Sequence, residues 1–127
     1  MLPLPMGESA QPPTVLVVDD EPSLRLLCRV NLELDGYHVL EARNVAEAEE
    51  TLLAEPVDVV LLDVHVGPES GLQLMRRLRE RGTAPPVVLV TGTAQLDAET
   101  RAEADDVVAK PFRLEELLGV VRRLVGS

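Results

Sequence analysis

The sequence predicts an α/β domain built on a doubly wound, five-stranded parallel sheet, and three observations predict it. Short apolar runs rich in β-branched residues recur along the chain, at Val15–Val18, Val57–Leu62, Val87–Val90 and Val107–Ala109. Runs this short, without polar alternation, read as strands buried on both faces. Segments of helical period separate them, and this (βα)₅ alternation implies parallel strands, right-handed crossovers and helices on both faces. Each run also ends on polar chemistry, of three kinds in all: Asp19-Asp20 and Asp63, Thr91, and Lys110. In open α/β sheets the ligand site lies outside the carboxyl ends of the strands. One edge of the sheet should therefore collect three carboxylates, a hydroxyl and an ammonium.

The elements follow in order. After the first run, Pro22 sits where a first helical residue tolerates proline, and Leu24, Leu27, Cys28 and Leu34 give a broken helical stripe. Asp35-Gly36 closes that helix with a glycine C-cap signal. Tyr37–Ala42 reads as a short strand. Asn44-Val45-Ala46-Glu47 has capping-box spacing and opens a second helix running to about Ala54, before Pro56. The third strand, Val57–Leu62, leads into a loop from Val64 to Ser70. Ser70-Gly71-Leu72-Gln73 repeats the capping-box spacing and starts a helix that ends near Arg81-Gly82. Pro85-Pro86 precede the fourth strand, where proline removes no ladder bond. Gln95–Ala104 reads as a shorter acidic helix. The fifth strand is followed by Leu114, Leu117, Leu118, Val121, Leu124 and Val125, the apolar face of a last helix.

Composition bounds the function. The 127 residues suffice for one domain with a real core, placed at residues 14–126. Prolines at 3, 5, 12 and 13 mark residues 1–13 as a disordered or extended arm. With 2% aromatic residues, the core must be built from Val, Leu and Ala. A formal net charge of −10 argues against nucleic acid or an anionic membrane surface as partner. No stretch reaches the length of a membrane span, and no signal peptide is visible. The single cysteine, Cys28, excludes an internal disulfide and fits a reducing cytoplasm. Of the 12 basic residues only Lys110 is lysine. A compact point charge suits a phosphate, and arginine does not replace it neutrally.

If the first and third strands are neighbours, Asp19, Asp20 and Asp63 converge. Two carboxylates about 4 Å apart repel by roughly 1 kcal/mol in water and about 4 kcal/mol at an effective dielectric near 20, so such a cluster implies a bound cation. All-oxygen ligands beside a phosphate favour Mg²⁺. Asp63 can then act as a nucleophile toward a phosphoryl donor, while Thr91 and Lys110 donate to the phosphoryl oxygens. His65 reads as a solvated loop side chain, His38 as an edge-strand residue without function, and Cys28 as packing.

Four segments together resemble the receiver domain of two-component response regulators over nearly all of residues 14–125. They are Val17-Val18-Asp19-Asp20-Glu21, Leu61-Leu62-Asp63 with Gly71 eight residues on, Val90-Thr91-Gly92, and Lys110-Pro111-Phe112. The resemblance implies a flavodoxin-like fold with strand order 2-1-3-4-5. It implies that Asp63 accepts a phosphoryl group from a histidine kinase or phosphotransfer protein, and that Asp19 and Asp20 help hold Mg²⁺. It further implies that the backbone carbonyl of His65 completes the metal site, that Thr91 and Lys110 bind the phosphoryl oxygens, and that the Lys110-Pro111 bond is cis. The expected function is a phosphorylation switch acting through protein contacts or a phosphorelay, not an enzyme. Nothing in the sequence resembles an output domain. A monomer is expected before phosphorylation.

The chain departs from the family pattern at three places. Gly67 stands where a proline is usual, with Pro68 after it, so a different loop path is expected. Val107 replaces the aromatic three residues before the lysine. The stretch from Thr91 to Lys110 is short, with Glu103 in place of a glycine. Val107 is too short and too stiff at χ1 to swing, so it should stay buried, and any switch should run through Thr91–Thr93 and the helix after it. The alternative function is a small Mg²⁺-dependent phosphohydrolase with an aspartate nucleophile, but such enzymes carry an Asp-x-Asp pattern after the first strand, where this chain has adjacent aspartates. A mononucleotide binder of the same topology is disfavoured because Asp19-Asp20-Glu21 would repel a phosphate.

Overall fold

The computed structural model describes residues 11–82, 84–92 and 96–125. The proline-rich arm expected at 1–13 falls mostly outside them. Five strands form one parallel sheet: β1 (Thr14–Val18), β2 (His38–Ala42), β3 (Val59–Asp63), β4 (Val87–Thr91) and β5 (Asp106–Ala109). Their spatial order is β2-β1-β3-β4-β5, as the resemblance implies. β1 lies between β2 and β3, with Val18 beside Ala42 and Leu62, so the residues following β1 and β3 emerge at the same edge. Five helices connect and flank the strands: α1 (Pro22–Leu34), α2 (Val45–Ala54), α3 (Gly71–Arg81), α4 (Ala98–Glu103) and α5 (Leu114–Val125).

Alternation along each strand divides the interior into two cores. Leu16, Val18, Val60, Leu62, Val87 and Leu89 face Val45 and Ala48 of α2 and Leu74, Met75 and Leu78 of α3. Val15, Val17, Val59, Leu61, Val88, Val90 and Val108 face Cys28 and Leu32 of α1 and Leu117 and Val121 of α5. Every residue of β1, β3 and β4 is buried, which is why these strands read as continuous apolar runs. Each fully buried Val or Leu contributes about 1.5–3 kcal/mol relative to its exposed state.

Local chemistry sets the ends. Gly82 closes α3 at φ 78°, a left-handed conformation that a β-carbon would strain. Asn44 caps α2 by accepting from the Glu47 N–H at 2.8 Å, but the reciprocal half of the expected capping box is displaced by one residue. Glu47 Oε1 accepts from the Arg43 N–H instead, because the Arg43 guanidinium holds the same carboxylate. Ser70 caps α3 through the Leu72 N–H at 3.2 Å, not through Gln73. β3 begins two residues later than the apolar run, since Asp58 is engaged with both backbone polar groups of Thr14.

Two further expectations need correction. The segment from Val64 to Ser70 is not simply a loop: His65–Val66 and Glu69–Ser70 pair as a two-residue antiparallel ribbon. α4 starts at Ala98, not Gln95, because the Asp97 carboxylate accepts from the Thr100 N–H at 2.7 Å and caps it there. Gln95 itself lies outside the described residues. Arg76 and Arg79 of α3 reach across to Glu103, which ties this short helix to its neighbour.

Candidate functional site

The first carboxylate is fixed by the chain around it. Asp19 follows β1, is 3% exposed, and has every polar atom engaged. Its N–H donates to the Ala42 carbonyl at 3.1 Å, extending the β1–β2 ladder by one residue. Its Oδ1 accepts from the Glu21 N–H at 2.9 Å, forming a turn into α1, and its Oδ2 accepts from Lys110 Nζ at 3.2 Å. The Arg25 guanidinium donates to its backbone carbonyl at 2.7 Å. Asp20, the next residue, is exposed.

Asp63 ends β3 and is 8% exposed. Its Oδ1 accepts from the His65 N–H at 3.1 Å and its Oδ2 from Lys110 Nζ at 3.3 Å. The Gly71 N–H, donating to the Val64 carbonyl at 2.8 Å, brings the start of α3 against the Asp63 backbone. One carboxylate oxygen each from Asp19, Asp20 and Asp63 lies within 4.8 Å of the others. The convergence expected from two separate parts of the sequence is therefore present.

Thr91 ends β4 and is 2% exposed. Its carbonyl accepts from the Lys110 N–H at 2.7 Å, which registers the residue after β5 against the end of β4. The Lys110 ammonium is thereby carried to a bridging position between Asp19 and Asp63. The Lys110–Pro111 peptide is cis. His65 holds Asp63 through its N–H while its side chain is exposed, so the imidazole stays out of the carboxylate cluster. Gly67, at φ 63°, passes near the cluster: a β-carbon there would lie 3.9 Å from Asp20 Oδ2. The left-handed backbone is what favours glycine here, since the contact itself would leave room for a β-carbon.

Charge and burial act in opposition here. Burial pushes the Asp63 carboxyl above its usual range, the His65 N–H pulls it back, Asp19 raises it and Lys110 lowers it, with a net upward shift. For Lys110 burial disfavours the ammonium, but Asp19 and Asp63 outweigh it and hold the group above its ordinary value. Cys28 lies beneath the site, and burial, reinforced by Asp19, pushes its thiol up to about 11, so it stays protonated and unreactive at neutral pH. The three clustered carboxylates are hard oxygen donors, one of them open to solvent, which suits a cation that retains part of its water shell.

Val107 is half-buried rather than fully buried, packed against the core that carries α2 and α3. Thr93 lies outside the described residues. Arg25 escaped the sequence reading. A signal was available in its position: a cation near the N-terminus of a helix opposes the helix dipole and needs a specific anionic or carbonyl partner.

Residues 15–122 match the family model of the response regulator receiver domain. The chain is 40% identical over 113 residues to the transcriptional regulatory protein KdpE of Mycobacterium tuberculosis, covering 87% of this chain and 50% of that protein. It thus spans about half the length of the curated relatives it matches. Among solved structures, the Thermotoga maritima response regulator TrrA in complex with Mg²⁺-BeF superposes with a TM-score of 0.81 at 31% identity, covering 88% of this chain and 98% of that one. A Burkholderia pseudomallei response regulator with a phosphorylated aspartic acid and a calcium ion superposes at 0.74 with 30% identity, covering 84% and 65%. With five parallel strands in the 2-1-3-4-5 order and an acidic cluster at their carboxyl edge, the chain belongs to the response regulator receiver domain family of two-component signalling.

Proposed function

We propose that Asp63 is the phosphoacceptor of this receiver domain and that residues 14–126 form the functional unit. The observation that carries the reading is the Lys110 ammonium, 3.2 Å from Asp19 and 3.3 Å from Asp63, at the edge where the three carboxylates meet. An Asp63 oxygen attacks the phosphorus of a donor. The bond from phosphorus to the donor breaks, leaving an acyl phosphate on Asp63. Lys110 supplies positive charge to the phosphoryl oxygens, and Thr91, carried on the neighbouring strand end, supplies a hydroxyl. The His65 N–H keeps the Asp63 carboxylate oriented for attack.

Asp19, Asp20 and Asp63, with the His65 carbonyl, are the residues that would hold Mg²⁺. When bound, Mg²⁺ offsets the negative charge of the cluster and of the incoming phosphoryl group. The structure of TrrA with Mg²⁺-BeF supports this assignment by similarity. The chemistry of the site supports partners of two classes: a protein phosphodonor of the histidine kinase or phosphotransfer type, and a protein that reads the phosphorylated form. The domain catalyses only its own phosphorylation and dephosphorylation. No described helix is long and apolar enough to cross a membrane. The free, buried Cys28 supports a reducing, cytoplasmic setting for the domain, with a monomer as its unphosphorylated state.

Incubation with Mg²⁺ and a small acyl phosphate, read by intact mass, tests this reading. Wild type should gain one phosphoryl group, and Asp63→Asn should gain none. Lys110→Arg should react about a hundredfold more slowly, since a planar guanidinium cannot replace the ammonium wedged between two carboxylates. An unmodified wild type, or a Lys110→Arg variant with wild-type kinetics, would overturn the assignment.

A further inference from the structure

We propose that Arg25 is a positioning residue for the metal site, acting through the peptide that joins Asp19 to Asp20. This rests on the reading of Asp19, Asp20 and Asp63 as the Mg²⁺ ligands. Arg25 lies on α1, and its side chain is 15% exposed. Its Nη1 donates to the Asp19 carbonyl at 2.7 Å, and its Nε donates to Glu41 Oε1 on β2 at 3.2 Å. Glu41 is held from its other oxygen by Arg29 Nη1 at 2.8 Å, so the strut is anchored at both ends.

The Asp19 carbonyl belongs to the peptide plane between two of the three clustered carboxylates. Asp19 itself is fixed by Glu21, Ala42 and Lys110, whereas Asp20 is exposed and offers an oxygen to the cluster. Its direction depends on the peptide plane before it, and the guanidinium fixes that plane. The flat fork of arginine suits this task because it engages the carbonyl and Glu41 from separate nitrogens. Glu21, the N-cap of α1, provides no side-chain cap, so the arginine also supplies order that the helix start lacks.

Simple charge and positioning predict opposite signs. Arg25 is a cation beside a cation site, and its removal should tighten Mg²⁺ binding if charge alone mattered. Positioning predicts looser binding. Calorimetric titration of Mg²⁺ into the unphosphorylated protein measures this without any phosphorylation step. Arg25→Ala should raise Kd for Mg²⁺ by about tenfold or more, the range typical of residues that orient metal ligands. Arg25→Lys keeps the charge and the side-chain stem but loses the two-pronged hold, and should also bind more weakly than wild type. That variant decides the question if Arg25→Ala fails to fold. Wild-type or tighter affinity in a folded variant overturns the positioning role while leaving the metal site intact. No Mg²⁺ binding by the wild type would instead overturn the metal-site reading, and this proposal with it.

Discussion

Gly71 stands so close to Asp63 that a β-carbon on residue 71 would lie 2.1 Å from the Asp63 backbone carbonyl oxygen. The obstructing atom is backbone, so neither side can yield without moving the end of β3 or the start of α3. The glycine eight residues after Asp63 thus has a packing reason: it lets α3 begin directly over that residue. Gly71→Ala should destabilise the fold by about 2 kcal/mol or more, at the upper end of overpacking costs, and should slow phosphorylation as well. Chemical denaturation beside a phosphorylation time course checks both. A stable, fully active variant would show that the approach is not a constraint.

Asp63→Asn should stabilise the metal-free protein at neutral pH. Burial leads the causes that raise the Asp63 pKa in the folded state, so the ionised carboxylate opposes folding despite Lys110. With the folded value above the unfolded one, the contribution of Asp63 to stability is fully present at low pH and is lost as pH rises through the folded value. The melting-temperature gap between Asp63→Asn and wild type should therefore be widest at neutral pH and narrow on acidification through the upper carboxylate range. A gap that widens in acid would reverse the inferred sign.

Mg²⁺ should raise the melting temperature of the wild type, because the clustered carboxylates exist only in the folded form. At a hundredfold excess over Kd the stabilisation amounts to about 2.7 kcal/mol. Asp20 is exposed, so Asp20→Asn should change the metal-free melting temperature little and yet remove most of the Mg²⁺-dependent rise. An equal rise in wild type and Asp20→Asn would exclude Asp20 as a ligand.

Binding of beryllofluoride with Mg²⁺, a mimic of the phosphoryl group, should alter amide exchange at Thr91, Gly92 and α4 while leaving Val107 quiet. Val107 is β-branched, half-buried and packed on the core, so it has no long ring to move between two positions. α4 is six residues long and held from α3 by Arg76 and Arg79, which gives the segment discrete contacts to exchange. Large changes at Val107 with a silent α4 would contradict this route.

The parts of this molecule legible in the sequence were those where burial and chemistry change abruptly along the chain. Asp19, Asp63 and Thr91 stand out because each closes a run buried on both faces of the sheet, and Lys110 because it follows the apolar run of the edge strand as the chain's single lysine. The position of Pro22 and the glycines after α1 and α3 marked helix ends through backbone geometry alone. Features that depend on contacts distant in sequence were not legible. The ribbon at His65–Val66 and Glu69–Ser70 is too short to carry a period, and Glu47 exchanged its expected cap partner for Arg43 because a guanidinium lay nearby. Arg25 shows in the sequence only as a cation set unfavourably near a helix N-terminus, and its partners, the Asp19 carbonyl and Glu41, come within reach once α1 is folded over β1 and β2.

Asp63, and not another carboxylate of the cluster, is the proposed carrier of the phosphoryl group. Reductive trapping with borohydride after reaction with Mg²⁺ and an acyl phosphate converts a phosphorylated aspartate to homoserine, which peptide mapping locates. Homoserine is expected at position 63 alone in the wild type and nowhere in Asp63→Asn. Homoserine at position 19 or 20 in the wild type, or a trapped residue that persists in Asp63→Asn, would contradict it.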